Sequence, residues 1–282
     1  MLTLIALAAL GVGLYLVLRS REAAPEPAPE TPEPVHEVIG ASVEGRPIDA
    51  YTYGDGETHL LFVGGIHGGY EWNSVLLAYQ FLDYLNANPD FVPEHLTVSV
   101  IPSANPDGVF KVTGVEGRFT PADVTGNEAV AASGRFNANG VDLNRNFDCK
   151  WQPESTWRSQ VVSAGTSAFS EPEARAIRDF VLKNDPDAVV FWHSQSNAVY
   201  ASECHGGILP ETLSVMNAYA LGSGYPAVAT FDAYEITGDA EGWLASQGIP
   251  SVTVELSTHQ TIEWERNLAG VQKLFELYPI AK

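Results

Sequence analysis

The sequence predicts an α/β fold: a single domain on a mixed, mostly parallel twisted sheet, flanked by helices on both faces. Three observations predict it. Short apolar runs of strand length alternate with longer stretches whose apolar residues recur at helical spacing. Polar strings of unusual density sit at the ends of the apolar runs, where sheets of this class build sites. Beyond an N-terminal segment, roughly 245 residues without internal repeats remain, enough for one sizeable core, and the hydrophobic content of 45% is that of an ordinary globular chain.

Residues 2–18 carry no charge, a length near the lower limit for crossing a bilayer. Arg19 and Arg21 follow this run and no basic residue precedes it, unlike a secretory signal. Residues 1–21 therefore read as a single-pass membrane anchor or signal-like segment. Residues 22–35, rich in Pro and Glu, read as an extended linker, and 36–282 as the globular domain. In that domain Leu60–Val63 reads as a buried strand, Asn73–Leu85 as a helix and Leu96–Ile101 as a strand. Asn105 to Trp157 is too polar for a continuous element and reads as a long site-bearing loop. Ser170 and Pro172 open a helix over Glu171–Lys183. A strand from Ala188, a helix near Glu211–Leu221, an alternating strand over Pro250–Leu256 and a helix over Glu263–Leu277 complete the order. The formal charge of −20 argues against a nucleic-acid-binding surface, because phosphate would be repelled.

Chemistry concentrates in a few strings. Gly64-Gly-Ile-His67-Gly-Gly-Tyr-Glu71 sets an imidazole and a carboxylate four residues apart, between a strand and a helix. Both are ordinary zinc ligands, and a catalytic zinc takes three protein ligands, leaving a position open. Asn105-Pro-Asp-Gly108 and Gly140-Val-Asp142-Leu-Asn144-Arg145-Asn-Phe147 pack polar groups too densely for core. The apolar run from Ala188 ends in His193, and the strand Pro250–Leu256 carries Glu255, a charge that is costly there unless employed.

In this order the strings resemble the zinc carboxypeptidases of the pancreatic type, from about His36 to the C-terminus; the segment Gly165-Thr-Ser-Ala-Phe-Ser-Glu-Pro-Glu-Ala, the pattern Gly238-Asp-Ala-Glu-Gly-Trp-Leu and the small size look more like the short bacterial members that trim peptidoglycan than like digestive enzymes. The family's metal pair is usually His-x-x-Glu; here three residues separate His67 and Glu71, and Gly68-Gly69 reads as a looped insertion that keeps Glu71 on the metal. The resemblance implies one zinc ion held by His67, Glu71 and His193, with Asp142 accepting a hydrogen bond from the second ring nitrogen of His67. It implies Glu255 as general base, taking a proton from the attacking water and delivering it to the leaving amine. Arg135, with Arg118 as competitor, would stabilise the oxyanion. Asn144 and Arg145 would grip the substrate's terminal carboxylate, because the guanidinium fork makes two parallel hydrogen bonds. Tyr234 falls where the family's mobile capping tyrosine lies, and Glu241 or Asp239 near the base of the side-chain pocket.

A carboxylate clamp beside an acidic pocket suits a peptide ending in Lys or Arg, and equally suits meso-diaminopimelate in a peptidoglycan stem peptide. Cys149 follows the clamp string and Cys204 the third-ligand strand, so both belong on loops at one rim and a disulfide is expected, with free thiols or metal ligation as alternatives. A bridge, like peptidoglycan, implies an oxidising compartment. The two arginines after the apolar run point the other way; the extracytoplasmic face of the membrane is favoured. The competing function is a catalytically inactive peptide- or peptidoglycan-binding module on the same fold. His205 and His259 are the remaining histidines near site elements, without an assigned role.

Overall fold

The computed structural model describes residues 34–279; the expected anchor, and all but the last two residues of the expected linker, lie outside the described residues. Eight strands form one sheet in the order β1-β2-β4-β3-β7-β10-β8-β9. They are β1 (Val35–Ala41), β2 (Pro47–Tyr53), β3 (Thr58–Val63), β4 (Leu96–Ile101), β7 (Ala188–Ser194), β8 (Ala198–Ala201), β9 (Ala227–Val228) and β10 (Ser251–Leu256). The centre, β4-β3-β7-β10, is parallel throughout. β1 and β2 extend it antiparallel on one side, and β8 pairs antiparallel with β10 on the other.

Burial on both faces explains the composition of the central strands. Within β3, Leu60 and Phe62 pack on one side with Phe81, Trp192, Tyr219 and Leu274, while Leu61 and Val63 pack on the other with Ile177, Phe180 and Trp243. The first layer holds α1 (Trp72–Ala87), α5 (Pro210–Ser223) and α7 (Trp264–Leu277); the second holds α4 (Pro172–Asn184) and α6 (Ala240–Ser246). A sheet covered on both faces reads as continuous apolar runs, which is why Leu60–Val63 and Ala188–Trp192 lack polar interruptions. Among the described residues no helix is long and apolar enough to cross a membrane.

Two differences from the sequence reading have physical causes. The stretch 105–157 is not one loop: it contains α2 (Pro106–Thr113), α3 (Glu128–Ser133) and β5 (Glu154–Trp157), the first arm of a hairpin with β6 (Gln160–Ser163). These elements are too short to develop a periodic apolar face. α2 is instead fixed by capping, since the Asn105 side chain accepts from the Gly108 amide at 2.9 Å and Pro106 follows it. At the N-terminus β1 starts at Val35, within the expected linker; it is an edge strand with most positions exposed, so it lacks the alternation that marks a half-buried strand.

Candidate metal centre and substrate cavity

Parallel pairing brings distant residues together. His193 is the penultimate residue of β7 and lies in register with Glu255 on β10, while β3, the other neighbour of β7, leads into His67. The site thus stands at the carboxyl ends of three adjacent parallel strands, where helices and loops leave a crevice.

The additional residue between His67 and Glu71 is absorbed by a tight 3-10 turn over Gly68–Glu71 that precedes α1. Both glycines are required. Gly68 has φ +47°, and a Cβ there would lie 2.5 Å from the Gly134 carbonyl oxygen; a Cβ on Gly69 would lie 2.5 Å from Cβ of Val112. The turn swings Glu71 back onto His67. Glu71 Oε1 is 2.8 Å from His67 Nδ1, Glu71 Oε2 is 3.1 Å from His193 Nδ1, and the two Nδ1 atoms are 3.2 Å apart. All three side chains are buried.

The outer nitrogens face acids. His193 Nε2 lies 3.1 Å from Glu241 Oε1, but the hydrogen bond expected from His67 to Asp142 is not formed: His67 Nε2 stands 3.6 Å from Asp142 Oδ1, and the Asp142 oxygens accept from Arg135 Nε and the Asn144 amide. Protons on the Nε2 atoms leave the two Nδ1 lone pairs and a carboxylate converging on one point, an arrangement that repels itself unless a cation sits between them. Bonds of about 2.0–2.1 Å to a tetrahedral zinc would separate the donors by about 3.3 Å, close to the spacings observed. Imidazoles backed by carboxylates are the usual support of a zinc site. The residues therefore fit one Zn²⁺, and a group of three metal-capable side chains is found here among the described residues.

Electrostatics follow from the crowding. Burial would raise the Glu71 carboxyl, but the charges of His67 and His193 hold it well below the ordinary range. Burial, then Arg135, lowers His67 to about 4. Burial would lower His193 too, but Glu71 and then Glu241 raise it well above its ordinary value. Burial, reinforced by Glu71, pushes Glu255 up to about 7, and its Oε2 accepts from the Ser196 amide at 3.0 Å. Burial and then Glu241 push Asp239 to about 6.

These groups open into a cavity of about 240 Å³ lined by His67, Glu71, His193, Glu255, Arg135, Asn144, Arg145, Tyr234, Asp239 and Glu241, together with Tyr70, Trp157 and Arg158. Arg135 donates from Nε to Asp142 Oδ2 at 2.8 Å and lies over the Trp157 ring at 4.7 Å. Arg118 lies elsewhere, paired with Asp83 on the surface. Arg145 is buried and donates to the carbonyls of Asn144 and Thr156, without an acidic partner among the described residues. The Asn144 side-chain oxygen accepts from the Ala240 amide at 2.8 Å. Tyr234 is half-buried and stacks edge-on against Phe231. Glu241 lines the cavity, yet its Oε1 is already taken by His193 and by the Thr253 hydroxyl at 2.9 Å. Asp239 is the acid with fewer ties; its Oδ2 caps α6 through the Gly242 amide.

Several supporting residues escaped the sequence reading. The Ser194 amide donates to Glu71 Oε2 at 3.2 Å, and its hydroxyl joins Asn73 Oδ1 at 2.9 Å and His259 Nδ1 at 2.6 Å. Asn73 in turn donates to the carbonyls of Thr258 and Thr261, tying the start of α1 to the segment after β10. A polar residue on the apolar side of a helix, as at Asn73, was the one available signal. As expected, Cys149 and Cys204 form a disulfide, with Cα atoms 6.0 Å apart, joining the loop that follows Asn144 and Arg145 to the segment after β8.

The profile of the family described as "Zinc carboxypeptidase" matches residues 28–271. Among curated proteins the chain is similar to a gamma-D-glutamyl-L-diamino acid endopeptidase of Lysinibacillus sphaericus, 27% identical over 78% of this chain and 60% of that protein. It is similar also to carboxypeptidase B of Helicoverpa zea, 30% identical over 76% of this chain and 56% of that protein. The chain thus spans little more than half the length of these relatives. Among solved structures the fold is shared with murein-tripeptide amidase of Escherichia coli O157 (TM-score 0.63, 23% identity, 91% of this chain and 98% of that one). It is also shared with bovine thrombin-activatable fibrinolysis inhibitor (TM-score 0.68, 20% identity, 86% and 90%).

Proposed function

Since the chain belongs to the zinc carboxypeptidase family, we propose that it is a zinc-dependent hydrolase cleaving the amide bond in front of a C-terminal diamino acid, with γ-D-glutamyl-diaminopimelate of the peptidoglycan stem as the bond of choice. The observation that carries this reading is one cavity holding the zinc trio, a carboxylate of raised pKa and an arginine without an acidic partner.

Zinc, when bound, supplies Lewis acidity toward the scissile carbonyl and makes water a stronger acid. Glu255 takes the proton of the attacking water and passes it to the leaving amine; burial beside Glu71 gives it an affinity for protons suited to both steps near neutral pH. Arg135, held by Asp142, faces the developing oxyanion. Arg145 and Asn144 hold the terminal carboxylate, and Tyr234 caps the residue bearing it. Asp239 takes the side-chain amine, since Glu241 is engaged by His193. The likeness to the gamma-D-glutamyl-L-diamino acid endopeptidase and to the murein-tripeptide amidase supports a peptidoglycan substrate, and that to carboxypeptidase B supports cleavage next to a C-terminal residue. The disulfide supports placement outside the cytoplasm, and the uncharged run over residues 2–18 supports anchorage through the N-terminal segment.

The test compares a muropeptide containing γ-D-glutamyl-diaminopimelate with peptides ending in Lys or Arg, products being identified by mass spectrometry. Faster release of diaminopimelate upholds the reading. Release of Lys or Arg alone shifts it to an ordinary carboxypeptidase. A folded, zinc-loaded protein that cleaves none of them is a binding module.

A further inference from the structure

We propose that Arg158 is a second anion-binding position of the cavity, recognising a free carboxylate on the acyl side of the scissile amide. Resting on the function proposed above, it makes the unblocked α-carboxylate of a γ-linked glutamate a determinant of which bond is cut.

Arg158 stands apart from the other arginines. In a chain with 35 acids against 15 Lys and Arg, most basic groups find an acid. Every other arginine among the described residues has an acidic partner or donates to backbone carbonyls, as Arg145 and Arg175 do. Arg158 alone has neither, although it lines the cavity. Its position is built rather than incidental. It opens the turn between β5 and β6 at φ 56°, directly after Trp157. Trp157 is nearly buried, with its ring 5.0 Å from Tyr70 and 6.1 Å from Phe136 and with the Arg135 guanidinium over its face. The hairpin is thus rooted by an indole and presents a guanidinium over the site.

Two cations without acidic partners line the cavity, and their packing neighbours differ. Arg145 packs its backbone against Gly238, beside Asp239, and Asn144 holds the Ala240 amide, on the side of the clamp and of the pocket for the departing residue. Arg158 follows Trp157, whose ring packs edge-on against Tyr70, and Tyr70 packs in turn on His259 at 4.6 Å, on the side of the 3-10 turn. A substrate whose C-terminal carboxylate is held by Arg145 extends its acyl part past the metal trio toward Tyr70 and Arg158. An ordinary peptide bond offers a neutral amide there. A γ-linked glutamate offers its α-carboxylate, a planar anion matched to a guanidinium fork.

Two tripeptides of the form L-Ala-γ-D-Glu-diaminopimelate, one with the glutamate α-carboxylate free and one with it as carboxamide, are offered to the zinc-loaded full chain and to Arg158→Gln and Arg158→Lys. The wild type should favour the free carboxylate by roughly 10- to 100-fold in kcat/KM, the effect of one charge-assisted contact. The ratio should shrink as salt rises, because Arg158 is exposed. Arg158→Gln should bring the ratio to within about threefold of unity and Arg158→Lys should keep part of it, since the charge survives but the fork does not. Cleavage of both tripeptides without preference, or a preference that persists in Arg158→Gln, overturns the role of Arg158 and leaves the proposed function standing. Cleavage of neither by folded, zinc-loaded wild type overturns both.

Discussion

Replacing Glu241 by Gln tests how the metal centre is supported, because its carboxylate faces the cavity and also backs His193. Its Oε1 is 3.1 Å from His193 Nε2 and 2.9 Å from the Thr253 hydroxyl, and the residue is 3% exposed. Burial would raise its carboxyl, but the hydrogen bond and charge of His193 pull it down to about 2. The ion therefore contributes to orienting and polarising the imidazole. Gln retains an oxygen that accepts from Nε2 but removes the charge. Loss of such a partner weakens metal affinity by about 10- to 100-fold, or about 1.4–2.7 kcal/mol; Gln belongs at the lower end and Glu241→Ala at the upper. Zinc affinity is read by competition with a chromogenic chelator at pH 7.5, with circular dichroism as the check on folding. An unchanged zinc affinity accompanied by a changed preference between Lys-ended and diaminopimelate-ended substrates would refute this reasoning and make Glu241 the floor of the specificity pocket.

Glu255→Gln should lower kcat by about 10²- to 10⁴-fold, with zinc still bound by equilibrium dialysis. The same variant should stabilise the zinc-free protein. With the folded carboxyl raised to about 7, ionisation costs nothing below the unfolded value near 4.5, accumulates through that window and is complete above about 7. Urea melts of the zinc-free proteins should therefore match at pH 4 and diverge in favour of the variant by up to about 3 kcal/mol at pH 8; equal stability at pH 8 would contradict the raised value. Gly69→Ala should destabilise by about 1–3 kcal/mol, because its Cβ meets Val112 and the Gly108 carbonyl within 2.6 Å, and should weaken zinc binding by displacing Glu71; a melting temperature and zinc affinity like wild type would show that the turn relaxes freely. Reducing the Cys149–Cys204 bridge, whose partners are 55 residues apart, should cost about 4 kcal/mol on the loop-closure relation, read from denaturant midpoints of the Cys149→Ser/Cys204→Ser double variant.

How much of the site was legible follows from how local each signal is. His67, Asp142, Asn144, Arg145, His193 and Glu255 sit in strings where polar density or a charge on an apolar strand betrays employment, and the structure gathers all of them around one cavity. Strands β3, β7 and β10 were legible because burial on both faces leaves uninterrupted apolar runs. The helices α2 and α3 and the β5–β6 hairpin were not, since capping and turns rather than periodic apolar faces fix them. Trp157 and Arg158 were hidden for that reason, as were Asn73 and Ser194, whose partners lie 185 and 121 residues away in some of their contacts.

Residue types and neighbours a few positions apart were enough to indicate the class of fold and to nominate candidate metal donors and clamp residues. Tertiary structure alone decided that Arg135 and not Arg118 enters the cavity, that Glu241 backs His193, and that the cysteines meet. Each of those outcomes turns on which strand lies beside which, and parallel pairing joins segments whose separation along the chain carries no local mark.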